Sequence, residues 1–163
     1  MIILGVDPGS VLAGYAVLKK DKNKKLEVLD FGCINVEKSL STGDRLKNVH
    51  KEITKIIEKY RPDAMSVENL FFFKNLKTVM PVSQTKGVIL LAGAQKNIPV
   101  FEFTPLQMKM AIAGYGRAEK KQIKEMIKKI LDLKGFDLKK NHRKKDDAFD
   151  ALGMAICAAI KAY

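Results

Sequence analysis

Four carboxylates stand where a folded chain could bring them together. Asp7 follows a short apolar run and precedes a Pro-Gly turn, and Glu68 ends a second apolar run. Asp147 and Asp150 lie near the start of a predicted C-terminal helix, and their i, i+3 spacing projects both from one side of it. A carboxylate at the end of a buried strand is costly unless a cation pairs with it. The pattern therefore indicates a cation-binding site.

The chemistry that such a cluster supports is metal-assisted. Clustered carboxylates repel one another, and oxygen ligands select hard divalent ions such as Mg²⁺ or Mn²⁺. Two such ions about 4 Å apart can activate a water and stabilise the leaving 3′ oxygen of a phosphodiester bond. Each acid alone has a simpler explanation, as a turn former, an exposed strand end or a first-turn acid favoured by the helix dipole. The combination predicts a metal-dependent nuclease.

An α/β fold with a mixed sheet must position these acids. The apolar periodicity and the turn residues predict five strands, at 2–7, 14–18, 26–36, 64–68 and 98–103. They also predict five helices, at about 42–60, 82–97, 105–113, 119–131 and 146–162. Short connections make the first three strands an antiparallel meander. The element order β-β-β-α-β-α-β-α-α-α indicates one α/β layer over residues 1–163.

The charge of the chain favours a polyanionic partner. Thirty Lys and Arg residues against eighteen Asp and Glu residues give a net charge of +12. Nucleic acid is the first candidate for such a partner, and the alternative is a solvated, Lys-rich surface of a heat-tolerant protein. The chain has no apolar stretch long enough to span a bilayer and no signal-peptide pattern. Its two cysteines, Cys33 and Cys157, fit a reduced, cytoplasmic protein.

Two segments could contact nucleic acid. Phe71, Phe72 and Phe73 are contiguous and cannot all face one core, so at least one is expected on the surface, where it could stack on an unpaired base. Packing in the core or in a dimer interface is the alternative. The basic run 139–145, which includes Arg143, comes just before the acidic helix and could hold phosphates. A solvated loop is the alternative for that run.

The chain resembles the RuvC family of Holliday-junction resolvases. Its signature segments are LGVDPGS at 4–10, VENLF at 67–71 and DAFDAL at 147–152, and Gly14-Tyr15, 84–87, Lys109 and 116–120 also fit. The resemblance runs from residue 2 to about residue 160. It implies an RNase H-like fold, a five-stranded mixed sheet flanked by helices. It also implies a homodimer that nicks four-way DNA junctions symmetrically with Mg²⁺ or Mn²⁺, two ions per site, during recombination and repair.

The resemblance implies roles for individual residues. The metal-binding acids are Asp7, Glu68, Asp147 and Asp150, with Asp7 as the candidate bridge between two ions. Asp146 stands beside Asp147, and the Asp-x-x-Asp-Ala-Leu register favours Asp147. Lys120 is the candidate that stabilises charge on the scissile phosphate. We expect junction contacts from Phe71, Lys74, Lys86, Lys109, Arg117, Lys120 and Arg143.

The sequence also predicts partners for the protein and leaves three alternative functions open. The resemblance implies a branch-migration complex as partner, and the small-residue segment 87–94 is a candidate dimer interface. One alternative is an RNase H-like nuclease that acts on an RNA–DNA hybrid. A second is an ATP-binding domain, because Asp-x-Gly after a first strand also occurs in actin-like and sugar-kinase folds, although those proteins normally need two such domains. A third is a DNA-binding module without chemistry.

Overall fold

The computed structural model describes residues 1–69, 76–138 and 146–161. Its strands are β1 (Ile2–Asp7), β2 (Leu12–Lys20), β3 (Leu26–Asn35), β4 (Ala64–Glu68) and β5 (Val100–Phe103). Its helices are α1 (Thr42–Tyr60), α2 (Leu76–Gln95), α3 (Pro105–Ala113), α4 (Lys120–Ile130) and α5 (Asp146–Lys161). The described residues thus follow the predicted order of elements.

The five strands form one mixed sheet in the order β3-β2-β1-β4-β5. Neighbouring pairs β1–β2 and β2–β3 are antiparallel, whereas β1–β4 and β4–β5 are parallel. This arrangement confirms the predicted meander and the mixed α/β sheet. Because parallel strands end at the same edge, the sheet brings Asp7 and Glu68, the last residues of β1 and β4, to one edge.

Side chains of the sheet alternate between two apolar cores. Leu4 and Val6 pack in a cluster that includes residues of α1 and α2. Ile3 belongs to the cluster on the opposite face, which contains residues of α3, α4 and α5. Helix α5 contacts the sheet, and every residue from Ala148 to Ala159 except Asp150 is buried. An apolar helix is stable there because it is enclosed almost all round.

Several element boundaries differ from the sequence-based prediction by one or two residues, and those of β2 and α2 differ most. Strand β2 extends over Leu12–Lys20 instead of 14–18, and helix α2 begins at Leu76 instead of 82. Pro81 lies inside α2, where it is tolerated although proline is normally disfavoured in a helix interior. The start of α3 at Pro105 was predicted correctly, and Thr104 and Gln107 form a reciprocal capping box there.

Among the described residues, no helix has both the length and the apolar character needed to cross a membrane.

Candidate active site

The ends of strands β1 and β4 place two carboxyl groups side by side. Val6 and Val67 are register partners in the parallel pair. The next residues, Asp7 and Glu68, therefore lie next to each other at the edge of the sheet. In its protonated form Asp7 donates a hydrogen bond to Glu68. Burial raises the pKa of Asp7 well above its ordinary value, and the charge of Glu68 raises it further. Burial also raises the pKa of Glu68, although the hydrogen bond from Asp7 offsets part of that effect.

Two glycines let helix α5 lie unusually close to the sheet. A Cβ atom on Gly5 would lie 2.3 Å from the backbone oxygen of Ala151, and one on Gly14 would lie 1.9 Å from the backbone oxygen of Asp147. Any side chain at either position would push the helix backbone away. Glycine inside a strand is a recognised signal of such a close approach. The sequence therefore carried this feature, although we did not predict its role.

The close approach brings Asp147 and Asp150, the two acids of α5, near enough to Asp7 to interact with it electrostatically. Both Asp150 and Asp147 raise the pKa of Asp7 through charge repulsion. Burial raises the pKa of Asp150 itself, and the Lys120 ammonium opposes that rise. The structure thus gathers the four acids that the sequence singled out. Their role as metal ligands stays a prediction.

The donor set fits a hard divalent cation. Within the described residues, no three His, Cys, Asp or Glu side chains meet the geometry for holding an ion as they stand. The acids nevertheless carry the burial and mutual repulsion that a bound cation would relieve. Four carboxylates are also the oxygen ligands that Mg²⁺ and Mn²⁺ prefer.

Lys120 is the cation that the chain itself supplies to this site. It is the first residue of α4, and its Nζ lies 3.2 Å from Asp150 and 3.5 Å from Asp146. Partial burial works against its charge, but Asp150 and Asp146 outweigh that effect and raise the pKa of the ammonium group. Lys120 is therefore fully charged at neutral pH.

The two neighbouring aspartates at the start of α5 have different surroundings. Asp146 is half exposed and forms an ion pair with Lys124, whose hydrogen bond lowers the pKa of Asp146. Asp147 instead acts electrostatically on Asp7. These surroundings agree with the register that favours Asp147 as the metal ligand. Asp146 pairs with Lys124, a contact that the sequence did not predict, and also lies 3.5 Å from Lys120.

Apart from Lys120, the predicted DNA-contacting residues fall into three groups. Lys86 is turned inward, since its side chain is 14% exposed and its Nζ pairs with Glu102 and lies 3.1 Å from Asn69 Oδ1. Lys109 on α3 is half-buried, and Arg117 before α4 is exposed. Within the described ranges, no ion pair joins either of them to the four acids. The remaining three, Phe71, Lys74 and Arg143, lie outside the described residues.

Comparison with known proteins identifies the family. Residues 3–158 match the family model described as Crossover junction endodeoxyribonuclease RuvC. The chain belongs to the RuvC family. A RuvC from Halothermothrix orenii is 50% identical over 96% of this chain and 91% of its own length. A RuvC from Fusobacterium nucleatum is 49% identical over 96% of this chain and 78% of its own.

Solved RuvC structures have the same fold. The Thermus thermophilus RuvC structure has a TM-score of 0.86 at 27% identity, covering 99% of this chain and 95% of its own. A second structure, of T. thermophilus RuvC in complex with Holliday junction substrate, has a TM-score of 0.85 at 25% identity, with the same coverage. The fold is RNase H-like, as the resemblance implied.

Proposed function

We propose that this RuvC-family protein resolves four-way DNA junctions by hydrolysing phosphodiester bonds, in recombination and repair. The observation that carries the proposal is the meeting of strand-end acids, helix acids and one lysine at a single edge of the sheet: Asp7, Glu68, Asp147, Asp150 and Lys120. The T. thermophilus relative solved with a Holliday junction substrate supports the same substrate for this chain.

We infer two divalent ions, Mg²⁺ or Mn²⁺, at the acid cluster. Asp7 interacts with acids on both of its sides, Glu68 on β4 and the α5 pair, so it is suited to contact both ions. Ions bound there would supply an activated water and charge stabilisation at the leaving 3′ oxygen. The burial that raises the pKa of Asp7 also keeps competing water away from its carboxylate.

Lys120 contributes a positive charge that does not depend on the ions. Its side chain is 63% exposed and reaches Asp150 from α4. From there the ammonium group can donate to a phosphate oxygen as negative charge develops on it during hydrolysis. Lys120 and cations held by the acids would thus both stabilise charge on the phosphate.

Junction binding draws on the wider basic surface. The net charge of +12 supplies sequence-independent attraction to phosphates. Lys109 and Arg117, on and after α3, are candidates for phosphate contacts beside the site. Phe71, Lys74 and Arg143 remain candidates on the resemblance, with the aromatic run supporting Phe71 and the basic run supporting Arg143. We assign Phe71 to the bases at the junction centre, where an aromatic ring can stack on an unpaired base.

A homodimer would place two such sites on one junction. Five residues of α2 form one exposed stripe at helical spacing: Met80, Gln84, Gly87, Leu91 and Ala94. We propose this α2 stripe as the dimer interface, since a two-fold axis through it would match the two-fold symmetry of a junction. The rest of the predicted segment 87–94 points inward, because Ala92 is buried and Gly93 faces Met65 and Val100.

The extent of the domain and the partner complex are inferred from the resemblance, and the cellular location from a cysteine. We propose one nuclease domain over residues 1–163, with a branch-migration complex as its partner. Cys157 is a free thiol, which suits a reducing cytoplasm. Burial raises the pKa of the Cys157 thiol to about 11, so that thiol is unreactive at neutral pH.

A substrate panel tests the proposed function against its alternatives. The wild-type protein is incubated with Mg²⁺ and a mobile four-way junction, a linear duplex of the same sequence, or an RNA–DNA hybrid. Cleavage confined to the junction is the expected result. Faster cleavage of the hybrid would favour an RNase H-like nuclease of different substrate. ATP binding without cleavage of any DNA would favour the nucleotide-binding alternative.

A further inference from the structure

Lys124 on α4 is held by two residues of α5. Its Nζ forms an ion pair with Oδ1 of Asp146 and lies 5.2 Å from the centroid of the Phe149 ring. Its side chain is only 28% exposed. An ammonium group over an aromatic face gains from the ring quadrupole, and the gain is larger when water is partly excluded. The two contacts fix α4 to the first turn of α5.

Lys120 lies one helical turn before Lys124 and shares the same carboxylate. Residues at i and i+4 project from one face of a helix. Lys124 takes Oδ1 of Asp146, whereas Lys120 lies 3.5 Å from Oδ2 of the same group and 3.2 Å from Asp150. Asp146 therefore bridges two lysines of α4, one with each oxygen.

We propose that Asp146, Lys124 and Phe149 form a clamp that positions Lys120 beside the acid cluster. The clamp rests on the proposed function of Lys120 at the scissile phosphate. In this assignment Asp146 is a positioning residue, and its neighbour Asp147 is the metal ligand. The surroundings of the two aspartates support this division. Both oxygens of Asp146 face lysines of α4, whereas the backbone oxygen of Asp147 lies against Gly14, the register partner of Asp7.

The clamp acts on position more than on stability. Half-exposed ion pairs contribute little to the free energy of unfolding. A lysine side chain, however, has many rotamers, and restricting them before the reaction lowers the barrier that orientation would otherwise impose. If Asp150 binds a metal ion, Asp146 can still pair with Lys120 and keep it close to the site.

Adjacent variants of α5 test the clamp. We would compare Asp146→Asn with Asp147→Asn by calorimetric Mn²⁺ titration without DNA, and by single-turnover cleavage of prebound junction. Asp146→Asn should slow cleavage about tenfold through misplacement of Lys120, with Mn²⁺ affinity within about twofold of the wild type. Asp147→Asn should weaken Mn²⁺ binding more than about tenfold. Equal loss of Mn²⁺ affinity in both variants would make Asp146 a ligand and overturn the clamp.

Two further variants link the effect to Lys124. Lys124→Met should slow cleavage by up to as much as Asp146→Asn, which also removes the contact with Lys120. The double variant should be no slower than the slower single variant, because both act through the Asp146–Lys124 pair. Asp146→Glu should restore most of the rate. Additive losses, or wild-type rates in Asp146→Asn, would contradict the clamp.

Hydrogen exchange provides a readout that needs no nuclease activity. In the metal-free protein, amides in the first turns of α4 should exchange about two- to fivefold faster in Asp146→Asn than in the wild type. Amides of α1 should be unaffected. Unchanged exchange at α4 would overturn the clamp even if the protein cuts junctions. Failure of the wild type to cut junctions, with faster exchange in the variant, would reject the proposed function and retain the clamp.

Discussion

The backbone oxygen of Asp147 lies directly over Gly14, only 1.9 Å from where a Cβ atom would stand. Gly14 is also the register partner of Asp7 across strands β1 and β2. The first turn of α5 therefore packs directly against Gly14, next to Asp7 in the sheet. A residue without a functional group sets the distance between the strand acids and the helix acids.

Gly14→Ala should separate the two halves of the site. The new methyl group would meet the helix backbone, so α5 has to move away from β1 and β2. We expect Mn²⁺ affinity to fall more than about tenfold, as it does when metal ligands are misplaced, with junction affinity largely kept. Calorimetry and gel-shift titration measure the two quantities, and circular dichroism checks the fold.

Gly43→Ala is the matched control for that substitution. Gly43 lies in α1, and a Cβ atom there would meet nothing within 4 Å. It should bind metal like the wild type and be as stable or slightly more stable, because alanine has the higher helix propensity. A Gly14→Ala protein that folds and binds Mn²⁺ as tightly as the control would show that the close approach does not matter.

Asp7→Asn should stabilise the metal-free protein at neutral pH. Burial and then Glu68 hold the pKa of Asp7 above its unfolded value, so the folded state binds more protons than the unfolded state between those two values. Stability from this group therefore falls as pH rises through that interval and stays lower above it. Removing the charge should recover about 1 kcal/mol or more, raising the melting temperature by about 2–4 °C.

Thermal unfolding in EDTA over a range of pH measures this effect. The difference between Asp7→Asn and the wild type should vanish at acidic pH, where the wild-type carboxyl group is protonated in both states. Glu52→Gln, which changes an exposed acid of α1, should show no such pattern. A variant less stable than the wild type at every pH would contradict the electrostatic account of the site.

Lys120→Met should tighten metal binding while slowing the reaction. The ammonium group lies 3.2 Å from Asp150 and repels any cation placed there. Its removal should raise Mn²⁺ affinity about three- to fivefold without DNA, and should slow single-turnover cleavage about a hundredfold. Lys121→Met, at the next and exposed position, is the control. Weaker Mn²⁺ binding by Lys120→Met would contradict the assigned role.

Lys86 offers a test between packing and DNA contact. Its ammonium group pairs with Glu102 on β5 and with Asn69, the residue that directly follows Glu68. If Lys86 positions the chain just after Glu68, Lys86→Met and Glu102→Gln should slow cleavage by similar factors and leave junction affinity unchanged. If Lys86 contacts phosphate, only Lys86→Met should weaken binding, and the salt dependence should fall by about one charge. We expect the first result, since the side chain is already paired.

The α2 stripe predicts which substitution separates the proposed dimer. Leu91 is a large apolar side chain of the stripe and is 51% exposed, and a charge there cannot be buried against a second copy. Leu91→Glu should sediment as a monomer at micromolar concentration and should nick a junction once per binding event. Ile160→Glu, at another exposed apolar position on α5, should remain dimeric. A dimeric Leu91→Glu protein would place the interface elsewhere.

Local signals in the sequence were sufficient for much of this structure. Strands β1 and β4 were predicted with their correct bounds, because each is a short apolar run that ends in an acid. Helix α2 was placed too late, because Pro81 is tolerated inside it. The approach of α5 to Gly14 and the pairing of Asp146 with Lys124 are tertiary contacts. A glycine inside a strand indicates a close approach but not the element that approaches it, and no local pattern links Asp146 to Lys124, so both contacts required the structure.

Cleavage of a mobile synthetic four-way junction tests the central claim most directly. Wild type and Asp7→Asn are compared with Mg²⁺, and with Mn²⁺, on several junction sequences. The account predicts symmetric, ligatable nicks in two strands of like polarity from the wild type, and binding without nicks from Asp7→Asn. Equal nicking by both proteins would remove Asp7 from the site. Binding without nicks by both would make the protein a junction-binding module without chemistry.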